Sequence, residues 1–467
     1  MEKNKADKNS RQNPEEIRTE HYGLSTATTM IIGIVIGSGI FFKCDDVLGY
    51  TGGSLWLGIL VFCIGAFGII FGSLTLTELS IRTKKNGGFV GYYEEFISNK
   101  VACGFGWFQT FVYYPTLIAI VSWVAGIYSC ILFGLSNSIE IEMLFALGYT
   151  ILLFTVNIIS IRLGGYFQNL ATVIKLIPLL GIALIGIFWS AATPALPEGV
   201  ALVTRSNVGM GWLAALAPIA FSYDGWIIVT SITNEVKNPN KNMTLALIIG
   251  PLIVLGVYIS YFVGINRMLG AEFILSTGDA AIYTVGSLLM GRYGSRILLV
   301  FVLISILGVV NGVILGGLRM PQAMATKNML PGSQDIARIQ PSYQLSIRSC
   351  LITFIAVFFW MTVHFISQKT GALAKGDIGE ISIAFSYACY IILYIKVMTM
   401  KKEGIIKSYF KGIVCPILGI IGSSIIFVGG FITNPRYVSF FILFCICVCL
   451  IGYMYYSQKR KSSIDMI

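Results

Sequence analysis

Three stretches of this sequence put polar or flexible residues where a long apolar run would otherwise continue. Asp224 stands in F-S-Y-D-G-W (Phe221 to Trp226), Lys175 ends F-Q-N-L-A-T-V-I-K (Phe167 to Lys175), and Gly33, Gly37 and Gly39 crowd I-I-G-I-V-I-G-S-G-I-F (Ile31 to Phe41). The chemistry they offer is recognition rather than bond making. Glycines weaken a helix and can free backbone amides, which suit a carboxylate, and carbonyls, which suit an ammonium group. Asp224 and Lys175 are charges that must meet a partner, a cavity or a ligand. Covalent chemistry has little to work with: the histidines are His21 and His364, and the ten cysteines form neither a C-x-x-C pair nor a Cys/His cluster of ligand spacing. No metal site, cofactor or enzymatic activity is expected.

The elements that must position these residues are membrane helices. Hydrophobic residues make up 56% of the 467 and charged residues 12%, with a mean hydropathy of +0.79. A soluble domain carries about a quarter charged residues, so this chain cannot cover itself in water. The net charge of +11 is dispersed among apolar segments rather than gathered into a stripe, which argues against nucleic acid as a partner. Residues 1–22 are polar, lack the apolar core of a signal peptide, and read as a cytoplasmic tail.

Apolar segments long enough to cross a bilayer lie at 24–48, 54–81, 101–134, 140–160, 166–189, 209–234, 243–268, 295–325, 346–366, 378–399, 412–432 and 437–457. The fold class expected is therefore an all-α integral membrane protein of about twelve helices. With the N-terminus inside, 24 of the 33 Lys and Arg fall on the cytoplasmic side and eight on the other, which places both termini in the cytoplasm. The expected organisation is a tail at 1–22, a ten-helix core at 23–400, two peripheral helices at 401–457 and a tail at 458–467. The stretch from Gly270 to Gly294 fits either a short helix or plain connection.

The two interrupted segments are the first and the sixth. That offset is what two inverted repeats of five helices produce, with the breaks meeting near the midplane. Amides at Gly37, Ser38 and Gly39 would start a half-helix suited to a carboxylate, and carbonyls near Phe221 and Ser222 would suit an ammonium, so a zwitterionic amino acid fits both. Each feature has a plainer reading. Gly33 and Gly37 also form the G-x-x-x-G face of a packed membrane helix, Asp224 could cap the second half-helix of the sixth segment, and Lys175 could snorkel from a nearby helix end.

Taken together with E-V-K-N-P-N-K-N (Glu235 to Asn242), V-N-G (Val310 to Gly312), Arg319 and M-L-P (Met329 to Pro331), these motifs resemble the amino acid, polyamine and organocation (APC) transporter superfamily. They are most similar to its L-type amino acid transporter branch, which includes bacterial serine/threonine exchangers. The resemblance implies an inverted 5+5 repeat with discontinuous helices 1 and 6, two peripheral helices, and alternating access in a plasma membrane. It implies that Gly37, Ser38 and Gly39 bind the substrate carboxylate and that Phe221 closes over the amino acid; the whole substrate site expected is Ile36, Gly37, Ser38, Gly39, Ile40, Phe221, Ser222, Asp224 and Gly225. It also implies that Lys175 takes the place of a second sodium site, tying the first helix to the eighth. The chain departs from the branch at Lys43, Asp45 and Asp46, and at Ile227 and Ile228 after Trp226.

The function expected is secondary active transport, by sodium-independent exchange of small neutral L-amino acids. One rival is a cationic amino acid or polyamine carrier with Asp224 as counter-charge; another is a sensor subunit on the same fold, which binds without flux. Exchange against proton symport, oligomeric state and accessory subunits are not readable from the residues.

Overall fold

The computed structural model describes residues 23–37, 39–83, 88–136, 138–226, 236–340, 342–373, 376–433 and 435–464. Everything regular in them is helical, with one isolated bridge between Gln340 and Leu345 and no strand among the described residues. Span 1 is Leu24–Val35 continued by Gly39–Phe42 and Cys44–Tyr50. Spans 2 to 5 are Leu55–Ser80, Asn99–Phe133, Ile139–Ile159 and Leu163–Ile187. Span 6 begins as a 3-10 segment, Gly209–Ala215, and becomes α-helical over Leu216–Ser222. Spans 7 to 12 are Pro239–Leu269, Gly294–Thr326, Ile347–Lys369, Ile378–Lys402, Phe410–Ile432 and Pro435–Lys459.

The expected tail at 1–22 and the second part of span 6, residues 227–235, lie outside the described residues. The stretch after span 7 is helical rather than plain connection. Ala271–Thr277 and Ala281–Met290 are joined by a 3-10 turn at Gly278–Ala280. They form a jointed pair between spans 7 and 8, although their summed length and hydropathy would satisfy a crossing.

The starts of these helices are written in the sequence. A helix leaves its first four amides without intrahelical acceptors, and a capping side chain can take one of them. Ser54, Ser98, Ser138, Ser160 and Ser346 each accept a bond at 3.3–3.4 Å from the amide three residues on, at the heads of spans 2, 3, 4, 5 and 9. Asp377 does the same for span 10 at 2.8 Å. Small or polar N-caps therefore set the boundaries of half the membrane domain.

Close crossings are made by glycine. Span 11 packs on spans 2 and 10, and where it crosses span 2 a Cβ on Gly422 would stand 2.5 Å from the Cα of Gly68. Gly148 on span 4, by contrast, faces open space. The Gly422→Leu variant should therefore lose about 1–3 kcal/mol through overpacking, seen as a lower melting temperature in detergent, while Gly148→Leu should melt with the parent protein.

Candidate functional site: two helix breaks joined by polar side chains

Span 1 stops being helical at Val35. Ile36 is extended (φ −67°, ψ 94°); its amide bonds backwards to Ile32 O at 2.9 Å, and in the second half Lys43 N–H bonds to Gly39 O at 2.8 Å. The amides at the start of the second half, from Gly39 onward, thus have no helical acceptor. Ser38, expected among them, lies outside the described residues. Gly33 sits inside the first half, with Thr172 of span 5 3.6 Å from where a Cβ would be, whereas Gly37 is in the break, 3.5 Å by the same measure from Val309 of span 8. Packing and interruption are both present, each on its own glycine.

Span 6 breaks opposite. Leu216–Ser222 ends in turns at Tyr223 and Asp224, and Gly225 has φ +94°, a conformation glycine adopts without strain. A Cβ on Gly39 would lie 2.8 Å from the Cα of Ser222, so the two breaks touch backbone to backbone. Ile36, Ile40, Phe221 and Ser222 are all buried beside this contact.

The carbonyls exposed by the breaks are taken by side chains from other spans. The Tyr258 hydroxyl of span 7 reaches Val35 O at 3.0 Å and Ser222 O at 2.8 Å, sharing its proton between the ends of both first halves. Lys175, 3% exposed, donates to Gly33 O at 2.7 Å. Its helix starts at Ile161 rather than near 166, which puts Lys175 about 21 Å from that end at 1.5 Å per residue. This is no snorkelling lysine. The tie to span 8 runs alongside it: Gly308 faces Ala171, and Asn311 donates to Gly164 O at 3.0 Å and Gln168 Oε1 at 3.2 Å.

Asp224 is held from span 3. Its Oδ2 accepts from the Tyr113 hydroxyl at 2.5 Å, and Tyr113 closes a π-helical turn, Gln109–Tyr113, in an otherwise α-helical span. Such a bulge re-aims side chains and recurs at functional sites. Whether Asp224 also caps the second half of span 6 concerns residues 227–235, outside the described residues. Beside Asp224, Trp226 packs on Tyr390 with ring centroids 5.7 Å apart.

Over Phe221 the structure holds a group of charges, of which the sequence reading set apart Lys43 and Asp46 without a role. Lys43 is 5% exposed and contacts Asp377 at 2.8 Å, Glu380 at 2.7 Å and Asp46 at 3.2 Å, with its ammonium 5.5 Å from the centre of the Phe221 ring. Asp45 turns instead toward Gly278, in the joint after span 7. Sequence reasoning missed Tyr258, Tyr113, Asp377 and Glu380. A polar ring in an apolar span was visible for the tyrosines, but nothing in spacing said which break they face. Among the described residues no group of three or more His, Cys, Asp or Glu is arranged to hold a metal ion.

Comparison with known proteins agrees over nearly the whole chain. The family model described as amino acid permease matches residues 22–453. The serine/threonine exchanger SteT of Bacillus subtilis (strain 168) is 30% identical over 446 residues, covering 94% of this chain and 97% of that protein. The human b(0,+)-type amino acid transporter 1 is 27% identical over 98% of this chain and 92% of its own length. The human Asc-type amino acid transporter 1 is 29% identical over 66% of this chain and 60% of its length.

Replacing Tyr258 by Phe removes one hydroxyl and leaves two buried carbonyls short of a donor. The variant should lose about 1–3 kcal/mol, seen as a fall in melting temperature in detergent that the parent's own aromatic packing does not offset.

Proposed function

The chain belongs to the amino acid permease family, a family of membrane transporters and not of enzymes, and from that premise we propose that it exchanges small neutral L-amino acids across a plasma membrane without sodium. Both termini would face the cytoplasm, residues 23–400 would form the ten-helix transport core, and 401–457 would add two peripheral helices. The observation that carries the reading is Lys175 on Gly33 O beside two touching helix breaks. A covalently attached cation stands where a coupling ion would otherwise bridge the first helix to its neighbours.

Substrate recognition would be mostly backbone chemistry. The amides of Gly37, Ser38, Gly39 and Ile40 would form the positive start of the second half of span 1 and take the carboxylate, with Ile36, its own amide bonded to Ile32 O, ending the first half beside them. The ammonium would share the carbonyls of Phe221 and Ser222 with donors they already have, the Asp224 amide and the Tyr258 hydroxyl among them. Phe221 would close over the ligand, and Ser222, Asp224 and Gly225 would shape the break. Val309 lies 3.5 Å from where a Cβ on Gly37 would stand, and Ile34 is 3.1 Å from the same point on Gly225. Such aliphatic neighbours favour a small, uncharged side chain. Alternating access would rock spans 1, 2, 6 and 7 against the rest.

A cationic amino acid or polyamine as substrate is the second reading, favoured by one observation: Asp224 is bonded to a neutral tyrosine rather than to a cation. Counterflow in proteoliposomes separates the possibilities. Vesicles are loaded with unlabelled amino acids one at a time, and labelled L-serine, then labelled L-lysine, is offered outside without sodium. Accumulation of serine that requires an internal neutral amino acid supports exchange. Lys175→Ala should cut its rate about tenfold or more, since a hydrogen bond to a charged group is worth about 1.5–3 kcal/mol. Lysine uptake abolished by Asp224→Asn would favour the second reading, and binding without any flux would replace both with a sensor.

A further inference from the structure

The transport reading uses Lys175, the two breaks and Phe221, and leaves unexplained a buried ion cluster one turn beyond Gly39. Lys43 lies in the second half of span 1, and its partners Asp377 and Glu380, 2% and 4% exposed, open span 10. The bonds of 2.8 and 2.7 Å join positions 334 and 337 residues apart. Asp377 is preformed for the contact: its Oδ1 accepts the Glu380 amide as the N-cap of span 10, which leaves Oδ2 for Lys43.

A dry ion pair is a poor source of stability. Its desolvation cost cancels much of the attraction, and apolar packing of the same volume serves as well or better. Such a pair is strongly felt only when it is broken, and this one lies where breakage would matter. The ammonium stands over the Phe221 ring, and a Cβ on Gly379, the residue before Glu380, would be 3.2 Å from that same ring and 3.3 Å from Ile120 of span 3. Lid, ammonium and carboxylates form one layer across the end of the site.

We propose that Lys43 is the positioning residue that closes the outer path: its ion pairs with Asp377 and Glu380 latch the outer half of span 1 to span 10 over Phe221. The proposal rests on the alternating-access reading and on its orientation. When the outer half of span 1 swings out, two buried carboxylates lose their shared cation and cannot stay dry, so water must enter as the path opens. When it returns, the same carboxylates draw the ammonium back and expel that water. Opening and hydration are thereby tied into one step with two discrete states.

The test needs no substrate, so its failure is separate from failure of the exchanger reading. Ile120→Cys places a thiol beneath the latch, and its labelling by a membrane-impermeant thiosulfonate is followed on intact cells, with the protein lacking that substitution as the background. Adding Lys43→Met should raise the labelling rate about tenfold or more, a small share of what removing one member of a buried pair can release. The charge swap Lys43→Glu with Glu380→Lys should bring the rate back toward that of Ile120→Cys alone. Should Lys43→Met fail to reach the membrane, Glu380→Gln breaks the same latch from the other side. An unchanged rate in these variants overturns the proposal. So does a swap that labels as fast as Lys43→Met, because charge pairing would then not be what holds the path shut.

Discussion

A helix broken inside a membrane leaves backbone donors and acceptors that lipid cannot satisfy, and the rest of this structure is arranged around that constraint. At each break the protein supplies the missing partner from a neighbouring span. Tyr258 serves the carbonyls of Val35 and Ser222 together, and Lys175 serves Gly33. The amides that begin the second half of span 1 come before that helix can supply acceptors of its own. An element that must expose backbone to recognise an amino acid is helped when its other orphan groups are accounted for, and here the carbonyls of Gly33 and Val35 are.

The side chains chosen for this work are long and come from spans 5 and 7, which pack on each other and, in the case of span 7, on span 1 as well. A hydroxyl at the end of a rigid ring, or an ammonium at the end of four methylenes, can reach a break without the supporting helix being broken itself. The costs are different. Tyr258 asks for no charge, whereas Lys175 carries one into an apolar setting and gains a bond to a neutral carbonyl in return, so its place is justified by the cation and not by the bond alone.

Much of this was legible in the residues, and the division between what was and was not has a physical basis. Twelve apolar segments, the glycines of span 1 and the F-S-Y-D-G-W interruption of span 6 are local properties, and the spans and both breaks appear close to where they were expected. Lys175 was legible because a charge in an apolar run is improbable without a reason. The helix start was misjudged by about five residues, because Ser160 caps a turn that hydropathy does not register. Tyr113 and Tyr258 were not legible: a tyrosine in a membrane span is ordinary, and what sets these two apart is a π-turn and a facing break that no local pattern encodes. The partners of Lys43 were hidden for the same reason, since Asp377 and Glu380 read as a capping residue and a first-turn acid.

Lys175, Asp224 and Lys43 differ in what they demand of their surroundings, and that difference would order the proposed mechanism. Lys175 is satisfied by a backbone carbonyl, a partner present however the side chains around it rearrange. Asp224 is satisfied by Tyr113, a neutral donor whose loss would leave a carboxylate able to take a cation or a proton instead. Lys43 keeps Asp46 of its own span beside it, but its two shortest ion pairs, to Asp377 and Glu380, cross to another span and are complete in one arrangement alone. A charge with a permanent partner fixes a joint, one with a replaceable partner makes a binding position, and one whose partner lies across a moving boundary makes a two-state contact. On the proposed mechanism the tie through Lys175 would be the pivot about which span 1 turns, and the ion cluster at Lys43 would mark how far it can travel before water must follow.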